Sequence, residues 1–223
     1  MKNIRVYCEA MIPSKGIIPQ VMVNQYKFRQ TGKYTAKSEV GIALLEEPIW
    51  WNRPVKSDVF LKQEADGIYS LNFPYFGGNN DFKAQYNSLL NVGCVPVAIQ
   101  LKNEDFEKPF DRESVLRMPI KVVAQTLIDL GVDATQLESI HNDLLYCGKK
   151  FMGVETVFKN NQCSINFMVT LFYKPEESIF KRLTGQYALK RPITGIIEET
   201  NLFTREEFTE QLIHNIKKYL DTL

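Results

Sequence analysis

The sequence predicts an α+β fold, a mixed and mostly antiparallel sheet with helices packed on one side. Three observations predict it. Segments that alternate apolar and polar residues, the mark of half-buried strands, occur both before and after the helical patterns. Two amphipathic helical stretches lie in the C-terminal half, and no internal repeat or low-complexity linker sets any part of the chain apart, so strands and helices share a core. With 223 residues, 44% of them apolar and 24% charged, that core can be substantial without a disulfide or metal staple. One domain over residues 1–223, or one with an elaborated β-rich N-terminal part over residues 1–60, is the natural size.

Taken in order, residues 3–10, 20–28 and 38–45 read as short strands or hairpins, separated by the turn formers Pro13-Ser-Lys-Gly16 and Thr31-Gly-Lys33. The Trp50-Trp51 pair reads as a core anchor in preference to an exposed contact surface, because large aromatics dominate core burial. Residues 68–75 alternate as another strand, and Gly77-Gly78 follows as a turn or a glycine loop. Residues 95–101 form an apolar strand that runs into the acidic, glycine-free residues 102–108. A helix is expected from Arg117, with Pro119 in its first turn, Ile120, Val123, Ala124, Leu127 and Ile128 on its apolar face, and Gly131 closing it. Residues 164–173 alternate Ile165, Phe167, Val169 and Leu171 against Asn166, Met168 and Thr170 as a half-buried strand. Thr204-Arg-Glu-Glu is a capping box opening a helix whose Phe208, Leu212, Ile216 and Leu220 recur every fourth residue.

Composition excludes several classes. Twenty-seven basic against twenty-six acidic residues give a formal charge of +1 with no basic block, so nucleic acid is not an expected partner. The four cysteines form no Cys-x-x-Cys pair, the first residues lack the apolar run of a signal peptide, and no stretch approaches the roughly 20 apolar residues of a membrane helix. The expectation is a cytoplasmic protein with no membrane partner. His141 and His214 are the only histidines, which excludes a His-rich metal centre, and Gly-x-Ser-x-Gly is absent. Neither Cys147 nor Cys163 has a base beside it in sequence, and both are expected to be buried thiols.

The richest chemistry lies in residues 140–154. Asn142-Asp143 heads one apolar strand, Cys147-Gly148 supplies a turn, and Lys149-Lys150 heads the return strand, residues 151–158. If Cys147-Gly148 sit at the tip of a two- or four-residue loop, Leu145 pairs with Lys150 and Asp143 with Met152. Asp143 and Lys150 then share a face, while Leu144 and Phe151 take the other. A three-residue loop would undo this. An ordinary exposed hairpin uses the same residue types, but a fixed amide, carboxylate and lysine also suit phosphate and carboxylate chemistry.

This hairpin resembles the central motif of the lipoate-protein ligase and biotin-protein ligase superfamily, in which Asn-Asp, a few strand residues and Lys-x-x-Gly follow at about this spacing. The matching residues are Asn142, Asp143, Lys150 and Gly153. The resemblance extends over residues 112–220, through the preceding helix that ends in Leu-Gly-Val, the strand after the hairpin and the C-terminal helix. It implies a class II synthetase-like ligase fold and an ATP-dependent enzyme that activates a small carboxylic acid as its acyl-adenylate. The acyl group would then pass to a lysine of a lipoyl-type carrier protein. It implies lipoate or octanoate more readily than biotin, because biotin ligases usually carry an extra C-terminal domain. Lys150 becomes the catalytic residue, polarising the carboxyl and offsetting charge on the α-phosphate. Asp143 holds Mg2+ and nucleotide, and Asn142, Gly148 and Gly153 complete the ATP site. The sequence departs from the family in lacking Arg-Arg-x-x-Gly-Gly-Gly-Ala-Val or Gly-Arg-Gly-Arg before the helix. Lys102 or Arg112 could do that loop's work. The rival reading is a non-catalytic descendant that binds a protein or a small acid.

Overall fold

The computed structural model describes residues 4–12, 15–46, 49–52, 87–90, 93–173 and 192–223. The expected strand at 68–75 and the Gly77-Gly78 pair lie outside these residues, as do the side chains of Trp50 and Trp51. Among the described residues, seven strands make one sheet: β1 (Arg5–Met11), β2 (Glu39–Leu45), β5 (Cys94–Lys102), β6 (Leu137–Ile140), β7 (Asp143–Tyr146), β8 (Lys149–Lys159) and β9 (Gln162–Thr170). Their order is β1-β2-β5-β9-β8-β7-β6. Only β1 and β2 run parallel, so the sheet is mixed and mostly antiparallel. A separate pair joins β3 (Ile49–Asn52) to β4 (Asn87–Leu90).

Helices α2 (Arg112–Asp129) and α4 (Arg205–Leu220) cover one face of the sheet. Between them and the strands lies the main core, built from alternating positions such as Val97, Ile99, Ile165, Phe167 and Val169 with Val123, Leu127, Phe208 and Leu212. All four apolar positions read from the capping-box helix, Phe208, Leu212, Ile216 and Leu220, are buried there. Both arms of the box form: Thr204 N donates to Glu207 Oε2 at 2.7 Å, and Glu207 N donates to Thr204 Oγ1 at 3.2 Å.

Two elements differ from expectation. α2 begins at Arg112 rather than Arg117, because Asp111 caps it by accepting from Ser114 N at 2.7 Å. Pro119 therefore lies inside the helix, where it cannot donate to the carbonyl four residues back, and its ring is buried. Ile128, expected on the apolar face, is 40% exposed. The C-terminus closes as read: Gly131 has φ 93°, with Gly131 N donating to Ile128 O and Val132 N to Leu127 O, the Schellman pair.

Residues 20–28, read as a strand, belong to helix α1 (Gln20–Thr31), which Pro19 precedes and left-handed Gly32 ends. α1 packs on the opposite face of the sheet from α2 and α4. Gly41 marks the contact, since a Cβ there would stand 2.4 Å from a methyl of Val21, and Gly41 alternates with the helix-side residues Val40 and Ile42. A short helix, α3 (Ile196–Thr200), leads into α4. Among the described residues, no helix is long and apolar enough to cross a membrane.

Thr204→Ala removes the arm in which the Thr204 hydroxyl accepts from Glu207 N and leaves the one donated by the backbone N–H of residue 204. It is expected to lower stability by about 0.5–2 kcal/mol, read as a shift of the urea unfolding midpoint at unchanged slope.

Candidate active site

The β7–β8 hairpin closes through Cys147 and Gly148, whose φ values of 48° and 76° are both left-handed. That is what a two-residue type I′ loop demands. Tyr146 pairs with Lys149 and Leu145 with Lys150, as the two-residue loop predicts. Beyond that point the expected register fails. Leu144 faces Met152, and Asp143 pairs with Gly153 instead of Met152. The reason is a β-bulge, in which Phe151 and Met152 together oppose Leu144. Both side chains are 1% exposed and enter the helix-side core, which strict alternation would forbid to one of them.

The bulge resets the alternation, so Lys150 and Gly153, three apart in sequence, share a face with Asp143. The Lys150 ammonium lies 2.7 Å from Asp143 Oδ1, with the two side chains 33% and 24% exposed. It sits over Gly153, 3.1 Å from where a Cβ would project. The missing side chain is thus the space the cation occupies. The backbone of Lys150 is held on its second edge, beyond the end of β9: its N–H donates to Pro192 O at 2.8 Å, and its carbonyl accepts from Thr194 N at 2.9 Å. Lys149 points elsewhere, to Glu199 Oε1 at 2.7 Å. Glu199 also accepts from Thr194 Oγ1 at 2.6 Å, and the Lys149 and Thr194 hydrogen bonds hold its carboxyl below the usual range.

Asn142 is exposed in the two-residue turn after β6, where its carbonyl accepts from Val154 N at 2.8 Å. Gly148 stands at the hairpin tip with nothing within 4 Å of where its Cβ would be, so its positive φ serves the turn. Sequence reasoning missed the rest of this face. Cross-strand rows run Gly153–Met168–Pro96, Glu155–Asn166–Ala98–Gly41 and Val157–Ser164–Gln100–Glu39. The signal was the polar side of the alternating strand 164–173, whose Asn166 and Met168 share the Lys150 face of the sheet.

Neither proposed replacement for a glycine loop stands at this site. Arg112 stacks 4.8 Å over the ring of Phe158, which packs on the helix side. Lys102 pairs with Glu104 and lies opposite Gln162, level with Lys159 and about 20 Å along the strand from Gly153 at about 3.3 Å per residue. The acidic residues after β5 act as a fastening. Asp105 Oδ2 accepts from Ser38 N at 2.7 Å and Ser38 Oγ at 2.8 Å, and Ser38 Oγ accepts from Lys102 N at 2.8 Å.

Cys163 is fully buried on the helix side, and burial pushes its thiol up to about 12, which removes it as a nucleophile. Cys147, expected to be buried, is exposed at the hairpin tip, because the type I′ turn lifts both of its residues off the sheet. Among the described residues, no group of three His, Cys, Asp or Glu side chains could hold a metal.

No family model matches the sequence, and no curated protein matches it. Solved structures do. A bipartite lipoate protein ligase of Thermoplasma acidophilum superposes at TM-score 0.64 and 13% identity, covering 99% of this chain and 84% of the other. A lipoate-protein ligase A bound with ATP gives TM-score 0.62 and 13% identity over 99% and 86%. P. falciparum LipL1 in complex with lipoate gives 0.62 and 12% over 98% and 62%. The chain therefore has the fold of the lipoate-protein ligases.

A thiol reagent is expected to label Cys147 at once in the folded protein, Cys8 more slowly, and Cys94 and Cys163 only on unfolding. Mass spectrometry of timed samples reads the order, and early labelling of Cys163 contradicts the burial described.

Proposed function

We propose that the protein activates a small carboxylic acid with ATP and passes the acyl group to a lysine of a carrier protein. The observation that carries this is the Lys150 ammonium, fixed by Asp143 over the bare backbone of Gly153. A carboxylate approaching a nucleotide phosphate is anion meeting anion, and a fixed cation at the meeting point offsets the repulsion. An ammonium on a flexible stem can stay with the oxygen as charge moves. The acid is already ionised at neutral pH, so the site needs no general base to make the nucleophile.

The residues present fit a nucleotide with its magnesium better than a resident metal. Mg2+ is commonly held by one or two carboxylates together with substrate phosphates, and Asp143 offers one carboxylate beside the cation. Asp143 would hold the ion and Lys150 the acid's carboxyl, while Asn142, in the exposed turn next to Asp143, would orient the nucleotide. ATP when bound supplies the phosphorus centre that activates the acid. Gly153 keeps the floor low enough for both groups, and Gly148 shapes the hairpin that presents them. The backbone clamp from Pro192 and Thr194 keeps Lys150 from sliding along the strand. Lipoate and octanoate are the first acids to test, with a lipoyl-type domain as acceptor.

Lys150→Ala is expected to lower acyl transfer by about 10²-fold or more, the scale of deleting an electrostatic donor used in the transition state. Lys149→Ala, which loses a half-exposed pair with Glu199, should change stability by no more than about 1 kcal/mol and leave transfer near wild type. Both variants should fold. Transfer of radiolabelled acid to a carrier domain checks this: equal losses or an active Lys150→Ala would remove Lys150 from the mechanism, and no transfer by wild type would favour the non-catalytic binding module.

A further inference from the structure

Lys150 owes its place to a segment that needs an anchor of its own. β9 pairs with β8 only from Met152 onward, so the second edge of Lys150 meets residues 192–194 in an isolated parallel bridge to Ile193 rather than in a ladder. Two backbone hydrogen bonds make the bridge, Lys150 N to Pro192 O at 2.8 Å and Thr194 N to Lys150 O at 2.9 Å. Without neighbouring rungs, its register depends on whatever fixes the added segment.

One carboxylate oxygen does so. Glu199 Oε1 accepts from the Thr194 hydroxyl at 2.6 Å and from the Lys149 ammonium at 2.7 Å. It therefore holds the side chain of residue 149 and, through Thr194, the carbonyl of residue 150. The two bonds differ in strength. Thr194 is 6% exposed, so its bond to the carboxylate is charge-assisted and made away from water, whereas the Lys149 side chain is 44% exposed and its ion pair is of the weak surface kind.

The position of Glu199 comes from the core. Ile196 and Ile197, which open α3, both enter the helix-side core, and Ile197 N donates to Leu171 O at 3.0 Å. Gly195 lets this turn lie against the chain leaving β9, since a Cβ there would stand 2.6 Å from Leu171 O. A core-anchored carboxylate thus reaches the Lys150 backbone through two hydrogen bonds in series. It does not pair with the Lys150 ammonium, which goes to Asp143.

We infer that Glu199 is a positioning residue for Lys150: its carboxylate fixes Thr194, Thr194 fixes the bridge, and the bridge sets how the ammonium stands over Gly153. This rests on the acid-activating reading and deepens it. A misplacement of about 1 Å at a group used in the transition state can cost about 10²-fold, so a tie made two bonds away has a kinetic consequence.

The test is acyl transfer by the full chain, with MgATP, octanoate or lipoate, and a lipoyl domain as acceptor, read beside amide hydrogen exchange. Glu199→Ala should fold and lose about tenfold or more in kcat/KM. Glu199→Gln keeps an acceptor for the Thr194 hydroxyl and loses only the charge toward Lys149, so it should stay near wild type. Thr194→Val keeps the shape and the backbone N–H but not the hydroxyl, and should match Glu199→Ala. Neither loss should add to that of Lys150→Ala, because all three act on one group. The Lys150 amide, which donates to Pro192 O, should exchange faster in Glu199→Ala and not in Lys149→Ala. Wild-type transfer by Glu199→Ala, equal losses in Glu199→Gln and Glu199→Ala, a full further loss in the Lys150→Ala background, or unchanged exchange at Lys150 overturns the inference and leaves acid activation standing. A wild type that transfers neither acid overturns this inference and the acid-activating reading together.

Discussion

The candidate site depends on one irregularity, the bulge at Phe151–Met152. In a regular strand, Lys150 shares its face with Met152 and Val154, and Gly153 belongs to the opposite side. The bulge moves one residue out of step, so two adjacent apolar side chains enter the core while lysine and glycine come together on the other face. Core burial and site geometry are thus one event. The side chains of Phe151 and Met152 each gain on the order of 1.5–3 kcal/mol from burial, and that packing is what holds the register against slipping back. Bulges elsewhere are used to re-aim a side chain beside a functional site, and here the re-aimed group is a cation.

The rest of the architecture supports that arrangement from both faces. α2 and α4 seal the helix side, tied to each other by Asn215, which donates to Asp129 Oδ2 at 2.9 Å and to Thr126 Oγ1 at 3.2 Å. On the site side, α1 covers β2 and β5 and leaves β8 and β9 half-exposed around Lys150. The sheet therefore has one dry face and one graded face, open at Asp143 and Lys150 and closed at Gln100 and Ser164.

Much of this was legible in the sequence, and the failures have physical causes. The Thr204 capping box, the fourfold spacing of Phe208 to Leu220 and the alternation of residues 164–173 each encode a local rule that the tertiary structure does not override. The two-residue Cys147-Gly148 turn gave the Leu145–Lys150 pair correctly. The pairing of Asp143 did not follow, because a period of two cannot express a bulge, and Lys-x-x-Gly inside a strand was the only hint of one. Residues 20–28 form a helix where a short strand or hairpin is expected, and Pro19 and Gly32 bracket it. Asp111 with Ser114 marks the start of α2, one turn before the Arg117 start that Pro119 suggests. The burial of the polar row at Gln100 could not be found from the chain alone, since α1 covers it, with Gln25 donating to Ile99 O and Ile165 O.

The central claim is that Asp143 and Lys150 together receive a nucleotide and an acid. Its most direct test is calorimetric titration of the full chain with MgATP in the presence of octanoate, lipoate or biotin. The account predicts saturable binding below millimolar nucleotide with at least one of these acids, weakened by about tenfold or more in Asp143→Ala and in Lys150→Ala, since each loses a charge-assisted contact. Absence of binding at millimolar nucleotide with every acid, or equal binding by wild type and both variants, would contradict it.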